Sequence, residues 1–312
     1  MDASGDADSD RVTRAVAHGL PRPAGGSGAR AVVAGSLTGR KIAGYRVGRL
    51  LGRGSTGAVY LAEHDRLEGD VAFKVPAPEL VQADGFRERF LHDCRLAASL
   101  GHPNVLPIHD AGEDGGVLFV AMRFVEGGDL RGLLARGPLP APRSLVVAGQ
   151  VAAALDASHS RGLLHGDVRP GNVRVAAGDH ALLSGFGLSR RLATDPAAGE
   201  GGLGAVDYVA PERIERDEAG PAADAYSLAC VLYECLTGSP PFRRDSDFAV
   251  LWAHVQDDAP TVTSRAPQLP AGLDAVLAQG LAKEPTERYG SCWSLVRAAR
   301  DALAPYWAAR RA

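Results

Sequence analysis

The chain has 312 residues, 46% of them hydrophobic, and a formal net charge of -3. That is enough apolar material for one large domain or two lobes with separate cores, and a charge so near balance excludes nucleic acid and acidic membrane surfaces as expected partners. The acidic start Met1-Asp2-Ala3-Ser4 is no signal peptide and no apolar run reaches the roughly 18 residues of a membrane span, so a cytoplasmic protein without membrane contact is the expectation.

Residues 1–42 are rich in Gly, Ala, Ser, Asp and Arg, and read as a disordered tail. From there the pattern becomes strand-like. "YRVGRLL", "AVYLAEH" and "DVAFKV" are three apolar runs separated by turn residues. "ADGFRERFLHDCRLAASL" spaces Phe86, Phe90, Leu91, Cys94, Ala97 and Ala98 as one face of a helix. "VLPIHDAGED" and "VLFVAMRFV" add two strands. The chain then turns helical. "RSLVVAGQVAAALDASHS" puts Leu145, Ala148, Val151, Leu155 and His159 on one face. "ADAYSLACVLYECLTG" is apolar nearly all round, which predicts a helix buried on every side. A β-rich small lobe followed by an α-rich large lobe leaves a cleft between them, where ligands commonly bind.

Cys94, Cys230, Cys235 and Cys292 lack metal-ligand spacing and read as buried thiols in a reducing compartment. Lysine occurs at three positions only, Lys41, Lys74 and Lys283, against 31 arginines. A position that keeps lysine in so arginine-rich a chain invites a functional question.

"GRGSTGAV" holds Gly52, Gly54, Gly57 and Val59 between two strands. Glycines let backbone N–H groups approach a phosphate, although a tight hairpin alone would use them too. The strand–loop–strand setting argues against a dinucleotide fold, which places a helix after the glycines. "VAFK" puts Lys74 on the third strand. "HGDVRPGN" (165–172) follows the long helix, "GFG" (185–187) follows a short strand, and "APE" (210–212) comes soon after. In this order the set resembles the protein kinases, and more closely the bacterial serine/threonine kinases, over about residues 43–304.

The resemblance implies an α+β, two-lobed protein kinase fold: an N-lobe over 43–126, a helical C-lobe over 127–306 and a short tail over 307–312. It implies ATP beneath a loop of Leu51, Gly52, Arg53, Gly54, Ser55, Thr56 and Gly57. Val59 and Ala72 would roof the adenine, Met122, Arg123 and Val125 would form the hinge, and Asp129 would meet the ribose. Lys74 would reach the phosphates, Asp167 would be the general base, Arg169 would touch the transferred phosphate and Asn172 would help to hold a metal. Asp224 is expected to brace the catalytic loop, and Glu212 and Arg288 to pair in the C-lobe.

Several positions depart from that pattern. Gly185 stands where the family's Asp holds Mg²⁺, a cation that wants hard oxygen ligands. Asn172 is then a weak neutral ligand, and Asp179 is poorly placed to help. Gly166 replaces an arginine that ordinarily meets a phosphorylated activation loop. That loop offers only Ser189 and Thr194 as acceptors, with Ala205 where a threonine is expected. Asp93 replaces the glutamate that pairs with Lys74, and its shorter arm predicts a weakened pair. Arg174 replaces an apolar floor beneath the adenine. It would stack on a base, fill the pocket or swing to solvent.

Three readings stay open. The first is a pseudokinase with a regulatory or scaffolding role, binding ATP with little Mg²⁺. The second is an active serine/threonine kinase acting on a protein substrate. The third is an interaction module that binds no nucleotide. With no sensor domain or membrane anchor expected, regulation would fall to a protein partner, a nucleotide or the N-terminal residues.

Overall fold

The structure, a computed structural model, describes residues 37–66, 69–188, 206–216 and 220–309. The N-lobe is an antiparallel sheet in the order β1-β2-β3-β4-β6-β5. Its strands are β1 (Lys41–Ile42), β2 (Tyr45–Gly54), β3 (Gly57–His64), β4 (Asp70–Pro76), β5 (Ile108–Asp114) and β6 (Val117–Arg123). Two-residue periodicity gives the sheet two distinct faces. On β4, Val71, Phe73 and Val75 join Tyr45, Tyr60 and Phe119 in an outer core, where Phe73 stacks on Phe119 at 5.0 Å. Ala72 and Lys74 therefore point the other way, and Ala72 packs with Met122, Val125 and Leu182 on the cleft side.

Helix α1 (Pro78–Val81) leads to α2 (Phe86–Ser99), which buries Phe86, Phe90 and Cys94 against that same face and Ala97 against the C-lobe core. Of the six positions its spacing indicated, Leu91 is only half-buried and Ala98 is exposed. Residues 37–42 correct the expected tail boundary. Leu37 and Ile42 are buried in the outer core, and Ile42 pairs with Tyr45, so apolar contacts draw these residues into the sheet. The rest of the expected tail, 1–36, lies outside the described residues.

The C-lobe is built on α4 (Ala141–His159), α6 (Pro221–Thr237) and α10 (Cys292–Ala309). Helix α6 buries 13 of its 17 residues, as its apolar run predicts. It begins with Pro221 and stops at Gly238, whose left-handed φ of 85° ends the helix. Shorter helices α3 (Leu130–Leu134), α5 (Pro211–Glu215), α7 (Asp247–Gln256), α8 (Val262–Arg265) and α9 (Gly272–Gly280) complete the lobe. The four cysteines are free and buried. Among the described residues no helix is long and apolar enough to cross a membrane.

A three-stranded sheet at the lobe junction consists of β7 (Gly128–Asp129), β8 (Val173–Ala176) and β9 (His180–Leu183). On β8, Val173 and Val175 enter the C-lobe core. Arg174 faces the other side, in register with Asp129 and Leu182.

Glu212 on α5 and Arg288 form a bidentate pair at 2.7 and 2.8 Å, both residues buried. Arg288 also donates to the carbonyls of Ala222, Ala282 and Lys283 and lies 4.8 Å from the Tyr226 ring. This matches the pairing that the sequence resemblance implies. Removing one charge would leave the other buried and uncompensated. Glu212→Ala is therefore expected to cost about 3–5 kcal/mol of stability. Thermal and urea unfolding measure that loss, and a variant as stable as the wild type would contradict the role.

Candidate active site

The catalytic loop hangs from Asp224, 1% exposed on α6. Its carboxylate accepts from His165 N at 2.9 Å, from Gly166 N at 2.8 Å and from His159 Nε2 at 2.7 Å. Burial pushes this carboxyl upward, but the hydrogen bond from His159 and the neighbouring histidines outweigh it and hold it below its usual range. The expected brace is present. His159 supplies a third contact that the motif reading did not foresee. Asp156, His159 and Cys292 also lie close together, yet Asp156 accepts from the N–H groups of Cys292 and Trp293 at the start of α10, which is a structural use.

His165 is fully buried. Its Nε2–H donates to Ser184 O at 2.9 Å, and its Nδ1 accepts from Asp167 N at 3.2 Å. Burial lowers its pKa, consistent with the neutral ring those roles require. Phe186 packs against it edge-on at 4.7 Å, so the 185–187 turn keeps its apolar half.

Asp167 receives Arg169 Nε at 3.1–3.2 Å, so Arg169 keeps the expected cation beside the base position. Asn172, 5% exposed, turns its Nδ2 to both Asp167 O and Asp167 Oδ2, each at 2.7 Å. Gly185 adopts φ +99°, and a Cβ placed on it would come within 3.0–3.1 Å of the Asn172 amide. A side chain at 185 would therefore press on the amide, which would have to give by a few tenths of an ångström. Asp179, the remote substitute, pairs with Arg143 at 2.7 Å and is committed elsewhere.

Lys74 departs from expectation. It is 8% exposed, and its ammonium donates to Thr56 Oγ1 at 3.0 Å. Among the described residues it forms no ion pair with Asp93. Asp93 has its carboxyl pushed up by burial, and its Cβ lies near Gly187. The one-methylene-shorter arm and the hydroxyl in the glycine loop account for the exchange of partner. The loop itself is drawn down: Thr56 O accepts from Ala77 N at 3.2 Å, and a Cβ on Gly57, φ +129°, would strike Val75 O at 2.1 Å. Only glycine permits that approach. Burial lowers Lys74 to about 8, while Asp167 pulls the other way.

Arg174 is half-buried and does not swing to solvent. Its Nη2 donates to Val125 O at 3.1 Å and to Gly127 O at 2.9 Å, tying β8 to the hinge. Asp129, expected at a ribose, accepts from Gly132 N at 2.8 Å and caps α3. The first turn of that helix needs an acceptor for its free N–H groups, and Asp129 supplies it. Met122 is buried, and Arg123 is exposed beside it at the end of β6. Ser189, Thr194 and Ala205 lie outside the described residues.

A buried strand lysine and a loop slung from a buried helix carboxylate are the arrangement of protein kinases. The comparisons agree: a protein kinase domain model matches residues 45–304, and the chain belongs to the protein kinase family. It is 43% identical over 270 residues to serine/threonine-protein kinase PknH of Mycobacterium bovis, covering 86% of this chain and 45% of PknH. It is 45% identical over 269 residues to PknD of Mycobacterium tuberculosis, covering 85% of this chain and 40% of PknD. The chain thus spans less than half the length of these curated relatives. The crystal structure of the M. tuberculosis PknI kinase domain superposes with a TM-score of 0.72 at 35% identity, covering 85% of this chain and 98% of that one. The family uses ATP and Mg²⁺.

Two outcomes test the cleft. Thr56→Val removes the hydroxyl that Lys74 holds, at nearly constant volume. ATP affinity measured calorimetrically should rise roughly three- to tenfold, the equivalent of one hydrogen bond of about 1 kcal/mol; unchanged affinity would mean that the contact does not compete with phosphate. The second is a pH dependence. The Lys74 ammonium has a folded pKa of about 8 against 10.5, so above about 8 the free protein must take up a proton to present a cation. ATP affinity should therefore fall as pH rises through 8, by up to about tenfold per unit. The dependence should vanish in Lys74→Met.

Proposed function

We propose that this chain is a serine/threonine protein kinase-like pseudokinase. It binds ATP with little help from Mg²⁺ and works as a regulatory or scaffolding partner of another protein in the cytoplasm. One observation carries the reading: Gly185 offers no side-chain oxygen, and the Asn172 amide beside it is bonded to Asp167. The residues present do not fit a two-ligand Mg²⁺ site. Removing one electrostatic stabiliser of a transition state typically costs about 3–4 kcal/mol, or 10²–10³ in rate. Set against roughly 1–100 s⁻¹ for kinases, a loss of that size leaves marginal turnover. The ATP-binding groups fare better. The glycine loop, the cleft-facing Ala72 and Lys74, and the hinge are all built, and Lys74 has only to exchange Thr56 for a phosphate.

The active-kinase reading draws on a different observation. Asp167 keeps Arg169 and Asn172 around its carboxylate, the neighbourhood a hydroxyl-orienting base requires.

A thermal-shift titration with ATP, with and without Mg²⁺, separates the readings. A small ATP shift that Mg²⁺ leaves unchanged is expected. A large Mg²⁺-dependent shift would argue for a working metal site, and no shift at all for an interaction module. Phosphate transfer to protein that disappears in Asp167→Asn would overturn the pseudokinase reading. Gly185→Asp should introduce a Mg²⁺ response at a cost of about 1–2 kcal/mol in stability, since a side chain in a left-handed conformation is strained and must displace Asn172.

A further inference from the structure

Gly166 precedes the base position and has a left-handed φ of 69°. Both its polar backbone groups are held by buried charges. Its N–H donates to Asp224 Oδ1 at 2.8 Å. Its carbonyl accepts from Arg213 Nη1 at 2.5 Å. Arg213 is 8% exposed and lies on α5, directly after Glu212.

The platform carrying Arg213 is itself pinned. Glu212 is locked by Arg288, which also holds Ala222 O beside the first turn of α6. Upstream, Ser227 Oγ donates to Tyr208 O at 2.7 Å, and the Tyr208 hydroxyl donates to Glu234 Oε2 at 2.6 Å. The chain from 206 to 216 is therefore fastened to α6 and to the catalytic loop by its own side chains.

Beside Gly166 a cavity of about 20 Å³ is lined by Asp167, Tyr208, Arg213, Asp224 and Ser227. Gly166 lacks a side chain with which to receive a phosphate. The cation at this junction comes instead from α5 and grips the loop's backbone.

We propose that Arg213 is a positioning residue that braces the catalytic loop at Gly166 and so sets Asp167 without phosphorylation of the segment preceding residue 206. The peptide plane that Arg213 holds is the one that leads into Asp167. A charge-assisted hydrogen bond to a buried carbonyl resists local opening. The idea rests on the kinase-like reading of the cleft.

Hydrogen exchange of the full chain, followed on peptides covering 163–169, tests it. In R213M, exchange at 165–168 should be roughly tenfold or more faster, as expected for the loss of one charge-assisted hydrogen bond. R213K keeps the cation and should restore most of the protection. In the wild type, exchange there should be the same after phosphatase treatment and after phosphorylation by an added serine/threonine kinase, with stoichiometry checked by intact mass. Unchanged protection in R213M would overturn the brace, as would R213K exchanging as fast as R213M. Protection that follows the phosphate would overturn it too, whether or not R213M folds, and R213K still reads the brace if R213M does not fold. The R213M and R213K arms need no nucleotide, so failure of ATP to bind would count against the proposed function and leave the brace standing.

Discussion

One buried carboxylate organises the site. Asp224 sits on a helix enclosed by the C-lobe core, so its position is set by packing that no surface change disturbs. It satisfies two consecutive backbone N–H groups of the catalytic loop, His165 and Gly166, and a ring nitrogen of His159. Buried donors without acceptors are costly, so the loop has one low-energy path past this point. His165 then reaches Ser184, and through it the loop is tied to the 185–187 turn. Asp167, Asn172 and Phe186 all inherit their positions from that anchor.

The structure separates what holds the fold from what performs chemistry. The Glu212–Arg288 pair and the Asp224 brace are buried, and each would leave an uncompensated group if broken, while the His165–Phe186 contact adds buried ring packing. Gly185 is different. A carboxylate there would stand beside the Asp167 carboxylate, and without a cation the two would repel. With glycine there, the Asn172 amide lies beside the backbone at 185 and bonds to Asp167. The contacts that hold the frame do not involve the side chain at this position.

The cleft also satisfies its own polar groups. Lys74 finds Thr56, Arg174 finds two hinge carbonyls, and Asp129 finds the end of α3. In a partly dry cleft an unpaired charge is expensive, so each group takes the nearest acceptor or donor that the backbone brings near. Any nucleotide must compete with these contacts. Its affinity depends on the exchange as much as on the new contacts it forms.

The strands and main helices were legible because their apolar periods are local: two residues along β4, three to four along α2 and α4, an unbroken run along α6. The family was legible too, through the motifs that carry the resemblance, and so were the Asp224 brace and the Glu212–Arg288 pair. Partners were a different matter. Arg174 and Val125 are 49 positions apart, Gly166 and Arg213 are 47 apart, and Lys74 and Thr56 are 18 apart. Nothing in the residues following "APE" marked Arg213 as a brace, and nothing in "GRGSTGAV" said that Thr56 would take the lysine from Asp93. Residue order sufficed for which groups are available and which local elements carry them, since those follow from short-range periodicity and backbone preference. Which acceptor each cation reaches was decided only by the packing of the two lobes, because a long flexible side chain pairs with whatever backbone the tertiary fold brings within about 3 Å.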